Sequence, residues 1–135
     1  MIIAVDTNIL IDILEPDPVH GPASREVLRR CLSEGAVVAC EVVWAEVATA
    51  YAYALAELDH ALKHVGVAYS AMSRKAAMEA AKCWYLYRQK GGKRKRIAAD
   101  FLIGGHALTQ CDRLLTRDRD FFNNHFNSLK IISPS

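Results

Sequence analysis

The chain has 135 residues and a mass of 15.0 kDa, enough for one domain. Hydrophobic residues at 52% and charged residues at 24% exclude extended disorder. A chain of this length buries roughly two-thirds of its unfolded surface, so it needs no disulfide or structural metal to fold. The charge sum of 17 basic minus 15 acidic residues, +2, excludes a general coat for polyanions.

Ile2–Val5 is an apolar run of strand length, suited to burial on both faces. Thr7–Leu14 reads as a short helix stopped by Pro16 and Pro18. Pro22–Ser33 carries Val27, Leu28, Cys31 and Leu32 at helical spacing and ends at Gly35. Ala36–Ala39 is a second buried strand, followed by helices over Cys40–Ala54 and Glu57–Val65. Gly66 breaks the pattern before a brief strand at Val67–Tyr69. Ser73–Gln89 is a long helix, capped by Ser73 and ended at Gly91-Gly92. A basic loop, Lys93–Arg96, precedes a helix from about Ala99 to Cys111. Arg113–Thr116, Asp118–His125 and Lys130–Ile132 complete the chain as strand, short helix and strand. Alternation of strands and helices implies βαβ units, hence a single α/β domain over 1–135 with about five parallel strands flanked by helices.

Ala36–Ala56 is superficially membrane-like, but Glu41 and Glu46 lie inside it, and mid-span charges cost about 3 kcal/mol each. No membrane role is expected. Cys31, Cys40, Cys83 and Cys111 are far apart and form no Cys-x-x-Cys pair, so they read as reduced, mostly buried thiols. The opening Met1–Val5 has no basic leader and is interrupted by Asp6, too early for a signal peptide. The expected compartment is the cytoplasm.

In parallel α/β folds, ligands bind beyond the carboxyl ends of the strands, where the strand order switches. Asp6, Thr7 and Asn8 follow the first strand, and Thr116, Arg117, Asp118, Arg119 and Asp120 lie at the end of the fourth. Glu46 lies on the apolar side of its helix, where a carboxylate costs several kcal/mol unless it is met by a cation or hydrogen bonds. Asp100 opens a helix whose Gly104 and Gly105 each cost about 1 kcal/mol relative to Ala, which calls for a close backbone approach. Taken singly, Asp6, Asp100 and Asp118 also read as helix caps, and Glu46 as part of a half-exposed face. Converging on one sheet edge, the four read as an oxygen-only site for Mg²⁺ or Mn²⁺.

Four segments carry a family resemblance: Ala4-Val5-Asp6-Thr7-Asn8-Ile9-Leu10, Trp44-Ala45-Glu46-Val47, Ala99-Asp100-Phe101-Leu102-Ile103-Gly104 and Leu115-Thr116-Arg117-Asp118-Arg119-Asp120-Phe121-Phe122. In order and spacing they resemble the PIN-domain nucleases, nearest to the small VapC-like toxins of bacterial and archaeal toxin–antitoxin pairs. The resemblance implies a sheet of order 3-2-1-4-5, with the first strand beside the fourth. It assigns Asp6, Glu46, Asp100 and Asp118 to the family's catalytic, metal-binding quartet. Asp120 falls on a position that is often acidic in these toxins, an accessory metal ligand. Thr7, Asn8 and Thr116 match small polar residues that orient the carboxylates. The implied activity is endoribonuclease cleavage of RNA with one or two divalent ions, which activate water and stabilise the anionic transition state. The implied partners are a cognate antitoxin and a second copy of the chain.

Lys90, Lys93, Arg94, Lys95 and Arg96 place five cations within seven positions, either a solvated loop or a grip on RNA phosphates beside Asp100. His60 and His64 share a helix face without a third ligand and read as a surface pair. Trp44, Tyr51, Tyr53, Trp84, Tyr85 and Tyr87 serve mostly as core, with some available to a partner surface. Two rival readings remain open. A Mg²⁺-binding receiver domain has similar length and alternation, but it wants an acidic pair after the first strand and a Lys at the end of the last. Lys130 is at the wrong end of its strand for that role. The other rival is a PIN fold that binds RNA without cutting it or processes RNA outside a toxin pair.

Overall fold

Five short runs build one parallel sheet in the computed structural model, which describes residues 1–51, 54–92 and 98–134. The strands are β1 (Ile2–Val5), β2 (Ala36–Ala39), β3 (Val67–Tyr69), β4 (Arg113–Leu115) and β5 (Ile131–Ile132). Their order is β3-β2-β1-β4-β5, as the family resemblance implies. β1 lies at the centre, with Ala4 beside Val38 of β2 on one edge and beside Leu114 of β4 on the other. Ile3 and Val5 are fully buried, the burial on both faces that a continuous apolar strand demands. The chain builds outward from β1 to β3 and then returns to place β4 on β1's free edge, so the order switches between β1 and β4.

Seven helices flank this sheet among the described residues: α1 (Thr7–Leu14), α2 (Gly21–Glu34), α3 (Glu41–Ala50), α4 (Leu55–Val65), α5 (Arg74–Gln89), α6 (Ala98–Gln110) and α7 (Arg119–His125). Ser73 caps α5 as expected, its hydroxyl accepting the Ala76 N–H at 3.1 Å. The helix expected to run to Ala54 stops at Ala50. Val43, Val47 and Ala48 already fill its buried face, and the Tyr51 N–H closes the last turn on the Val47 carbonyl at 2.8 Å. α4 then starts at Leu55, two residues before the expected Glu57, and buries Leu58 and Leu62.

The glycine pair of α6 serves a close approach. A Cβ on Gly105 would lie 2.6 Å from the Ala76 carbonyl oxygen and 2.8 Å from the Ala80 Cβ, both on α5. One on Gly104 would overlap the Phe126 ring. These contacts seat α6 against α5 and stack Phe101 among Trp84, Tyr87, Phe121 and Phe126. Asp100, one residue before Phe101, is thereby held in the first turn of α6. All four cysteines are free thiols, and among the described residues no helix is long and apolar enough to cross a membrane.

Candidate active site

The β1 ladder continues one residue past the strand, the Asp6 N–H donating to the Leu115 carbonyl at 2.9 Å. Extended backbone at Asp6 makes it the N-cap of α1, with Oδ1 accepting the Thr7 N–H at 2.8 Å. The capping reading is therefore correct, but the carboxylate does more. Its Oδ2 accepts the Thr116 hydroxyl at 2.6 Å and the Asn8 side-chain amide at 3.3 Å. Asp6 is only 5% exposed, and burial raises its pKa from 3.8 to about 6 against the lowering effect of the Thr116 and Thr7 bonds. The charges of Asp100 and Glu46 push it the same way.

Glu46 is half-buried in the middle of α3, and its Oε1 accepts the Thr7 hydroxyl at 2.6 Å. That bond meets the polar requirement of a carboxylate on an otherwise apolar helix side. Asp100 is half-buried on α6 and close enough to act on Asp6. Asp118 is half-buried at the N-cap position of α7, and its N–H donates to Thr116 Oγ1 at 3.0 Å. Thr116 thus bridges the end of β1 to the start of α7. Asp120 is exposed in the first turn of α7. His60 and His64 are both exposed on α4, and Lys93–Arg96 lie outside the described residues. Trp44, Tyr51, Trp84 and Tyr87 pack against the core, while Tyr85 is 63% exposed.

Asp12 escaped the sequence reading. It is 4% exposed on α1 and accepts the Ser24 hydroxyl at 2.7 Å and the Arg117 guanidinium at 2.8 and 3.2 Å. Its signal was present: an acid inside the apolar run Ile9–Leu14, one helical turn after Asn8.

Among the described residues no three acid, imidazole or thiolate groups close into a ready-made metal cage. The donor chemistry nevertheless fits a hard divalent ion. The neighbouring acids supply oxygen ligands only, and the buried Asp6 carboxylate is pressed by two others. A cation relieves that repulsion, and Mg²⁺ in particular keeps several waters and takes only one or two carboxylates directly.

The family model of the PIN domain matches residues 3–126. The chain belongs to the PIN-domain family. PIN domains are nucleases and generally use divalent metal ions, so this PIN domain is a hydrolase of nucleic acid by descent. No curated protein sequence matches it. Among solved structures it is similar to a chain of VapBC2 from Rickettsia felis, solved bound to a DNA fragment from the promoter. That match has a TM-score of 0.78 at 19% identity and covers 100% of both chains. VapBC-1 from nontypeable Haemophilus influenzae matches at TM-score 0.73 and 19% identity over 98% of each chain. FitAcB from Neisseria gonorrhoeae matches at 0.70 and 20% over 96% of each. At these identities the likeness is one of fold, and it spans the whole PIN domain. The family match decides against the receiver-like reading, and Lys130 precedes β5 instead of standing at its carboxyl end.

Proposed function

We propose that this PIN domain is a Mg²⁺- or Mn²⁺-dependent endoribonuclease and the toxin of a VapBC-type pair, cytoplasmic, homodimeric and held silent by a cognate antitoxin. One observation carries the reading: a carboxylate at the switch point of the sheet, Asp6, is buried under the charges of Asp100 and Glu46. A cap alone has no use for two neighbouring acids.

Asp6, Glu46, Asp100 and Asp118 would hold the ion, with Asp120 in support, and the ion would supply an activated water and charge neutralisation at the phosphate. The protein's own part is positioning. The Thr116 and Thr7 hydroxyls fix the rotamers of Asp6 and Glu46, at 2.6 Å each, so that these carboxylates are aimed before substrate arrives. Packing behind Asp6 excludes water from one side of its carboxylate, which strengthens electrostatic interactions there. Lys93, Arg94, Lys95 and Arg96 lead directly into α6 and its Asp100, and are assigned to RNA phosphates flanking the cut. The toxin role draws on the whole-chain likeness to subunits of VapBC and FitAB complexes.

The test is cleavage of labelled single-stranded RNA by the antitoxin-free protein, with Mg²⁺ or Mn²⁺ and then with EDTA, beside an Asp6→Asn control. Metal-dependent cutting that the control lacks is the expected result. Absence of both cutting and metal uptake would return Asp6, Asp100 and Asp118 to helix caps and Glu46 to a half-exposed helix face.

A further inference from the structure

We infer that the Asp12–Arg117 ion pair is a positioning device that locks the corner between β4 and α7 onto α1 and so sets where Asp118 stands relative to Asp6. The inference rests on the nuclease reading above. Arg117 lies between Thr116 and Asp118, and each of the three is tied down separately. Thr116 donates to Asp6 at 2.6 Å, the Asp118 N–H donates to Thr116 Oγ1 at 3.0 Å, and the Arg117 N–H donates to Asn8 Oδ1 at 3.3 Å. The Arg117 side chain then reaches one turn further along α1. Nε donates to Asp12 Oδ2 at 2.8 Å and Nη2 to Asp12 Oδ1 at 3.2 Å, a two-point grip. Asn8 and Asp12 are four residues apart and share one helix face, so α1 holds the corner at two levels.

Stability alone does not account for this pair. The Asp12 side chain is 5% exposed, the Arg117 side chain 33%. Burying such a carboxylate is no better for stability than an apolar residue of the same volume, because desolvation offsets the attraction. What an apolar residue could not do is fix the direction of a loop. The planar guanidinium fork does so in both distance and angle, and a lysine ammonium reproduces neither. The Ser24 hydroxyl, donating to Asp12 Oδ2 at 2.7 Å, holds the acceptor still from α2.

The discriminating variant is Arg117→Lys, which keeps a cation opposite Asp12 but removes the two-point grip. Asp12→Asn and the double variant accompany it. Three readouts are taken: amide hydrogen exchange at Arg117 and Asp118 without metal, Mn²⁺ affinity by calorimetry, and kcat and KM for RNA cleavage. Arg117→Lys is expected to speed exchange at both amides and to weaken Mn²⁺ binding and kcat by about tenfold each, the usual cost of losing a group that orients metal ligands. KM should stay within about twofold, because the lost interaction is not made to substrate, and the double variant should be no worse than the poorer single one. Unchanged exchange and Mn²⁺ affinity with a raised KM and a shallower salt dependence would overturn the proposal and make Arg117 an RNA-phosphate contact. A lowered melting temperature with all three readouts unchanged would overturn it in favour of packing alone. Wild-type protein that takes up no Mn²⁺ would overturn the nuclease reading itself, and this inference with it, whatever the exchange rates.

Discussion

Thr116 Oγ1 donates to Asp6 Oδ2 at 2.6 Å across 110 residues of sequence, and the same oxygen accepts the Asp118 N–H at 3.0 Å. One buried hydroxyl therefore sets two of the acids at the β1–β4 switch point. Thr116→Val keeps the shape and removes both bonds. It should cost about 1–3 kcal/mol, because it leaves the buried Asp6 Oδ2 with only the longer Asn8 bond and the Asp118 N–H without its acceptor. Thr116→Ser, which loses only a methyl group, should cost about 1 kcal/mol. Urea unfolding midpoints of the two variants at one pH check the difference.

The raised pKa of Asp6 makes the stability of the metal-free protein depend on pH. Between 3.8 and about 6 the native state holds a proton that the unfolded chain has released, so stability falls as pH rises through this window. The shift of about 2 units corresponds to a loss of about 3 kcal/mol, complete once pH exceeds the native value. Unfolding free energies measured at pH 4, 5, 6 and 7.5 in EDTA should trace that decline. In Asp6→Asn this contribution to the pH dependence should vanish.

Metal uptake should run the opposite way. A ligand carboxylate must be deprotonated, so Mn²⁺ affinity is expected to rise with pH up to about 6 and then level. Calorimetry near that pH in two buffers of different ionisation enthalpy should register proton release on binding. Saturating Mn²⁺ at about 100 times its Kd should add about 2.7 kcal/mol to stability at pH 7.5.

Asp6→Asn and Asp100→Asn should each lower RNA cleavage at least about 100-fold while circular dichroism stays native, since they remove charge at the reacting centre and not core packing. The thermal shift produced by Mn²⁺ in the wild type should disappear in Asp6→Asn. Cleavage at the wild-type rate by either variant would remove the metal-site assignment.

Gly105→Ala tests how Asp100 is delivered to the site. The new methyl would lie 2.6 Å from the Ala76 carbonyl oxygen, a backbone atom that cannot swing aside, so α6 must move away from α5. Such overpacking costs about 1–3 kcal/mol, or roughly 3–10 °C in Tm for a chain of this size. A thermal melt beside an exposed-site control such as Ala56→Ser measures it.

Much of the molecule was legible in short stretches of sequence. The apolar runs marked β1, β2 and β3 to the residue, Ser73 marked the start of α5, and Gly104-Gly105 marked the tight packing of α6. These features depend on free energies acting within one or two turns: periodic burial, capping, the space a Cβ needs. Even so, Asp6 by itself was ambiguous, because the residue that caps α1 is also the proposed metal ligand. Read together, the four acids already suggested one oxygen-only site; the family resemblance added the strand order, which local pattern did not contain.

Tertiary structure decided the pairings. Thr7 meets Glu46 from 39 residues away, and Arg117 meets Asp12 from 105. Neither partner is implied by the local pattern around the other, because each bond depends on β4 returning to the free edge of β1 and on α3 packing beside α1. Local sequence therefore chose the elements and the chemistry of the acids. Which acid met which hydroxyl, and that Asp12 belongs beside them, was set by the burial of the sheet's centre, a property no single segment carries.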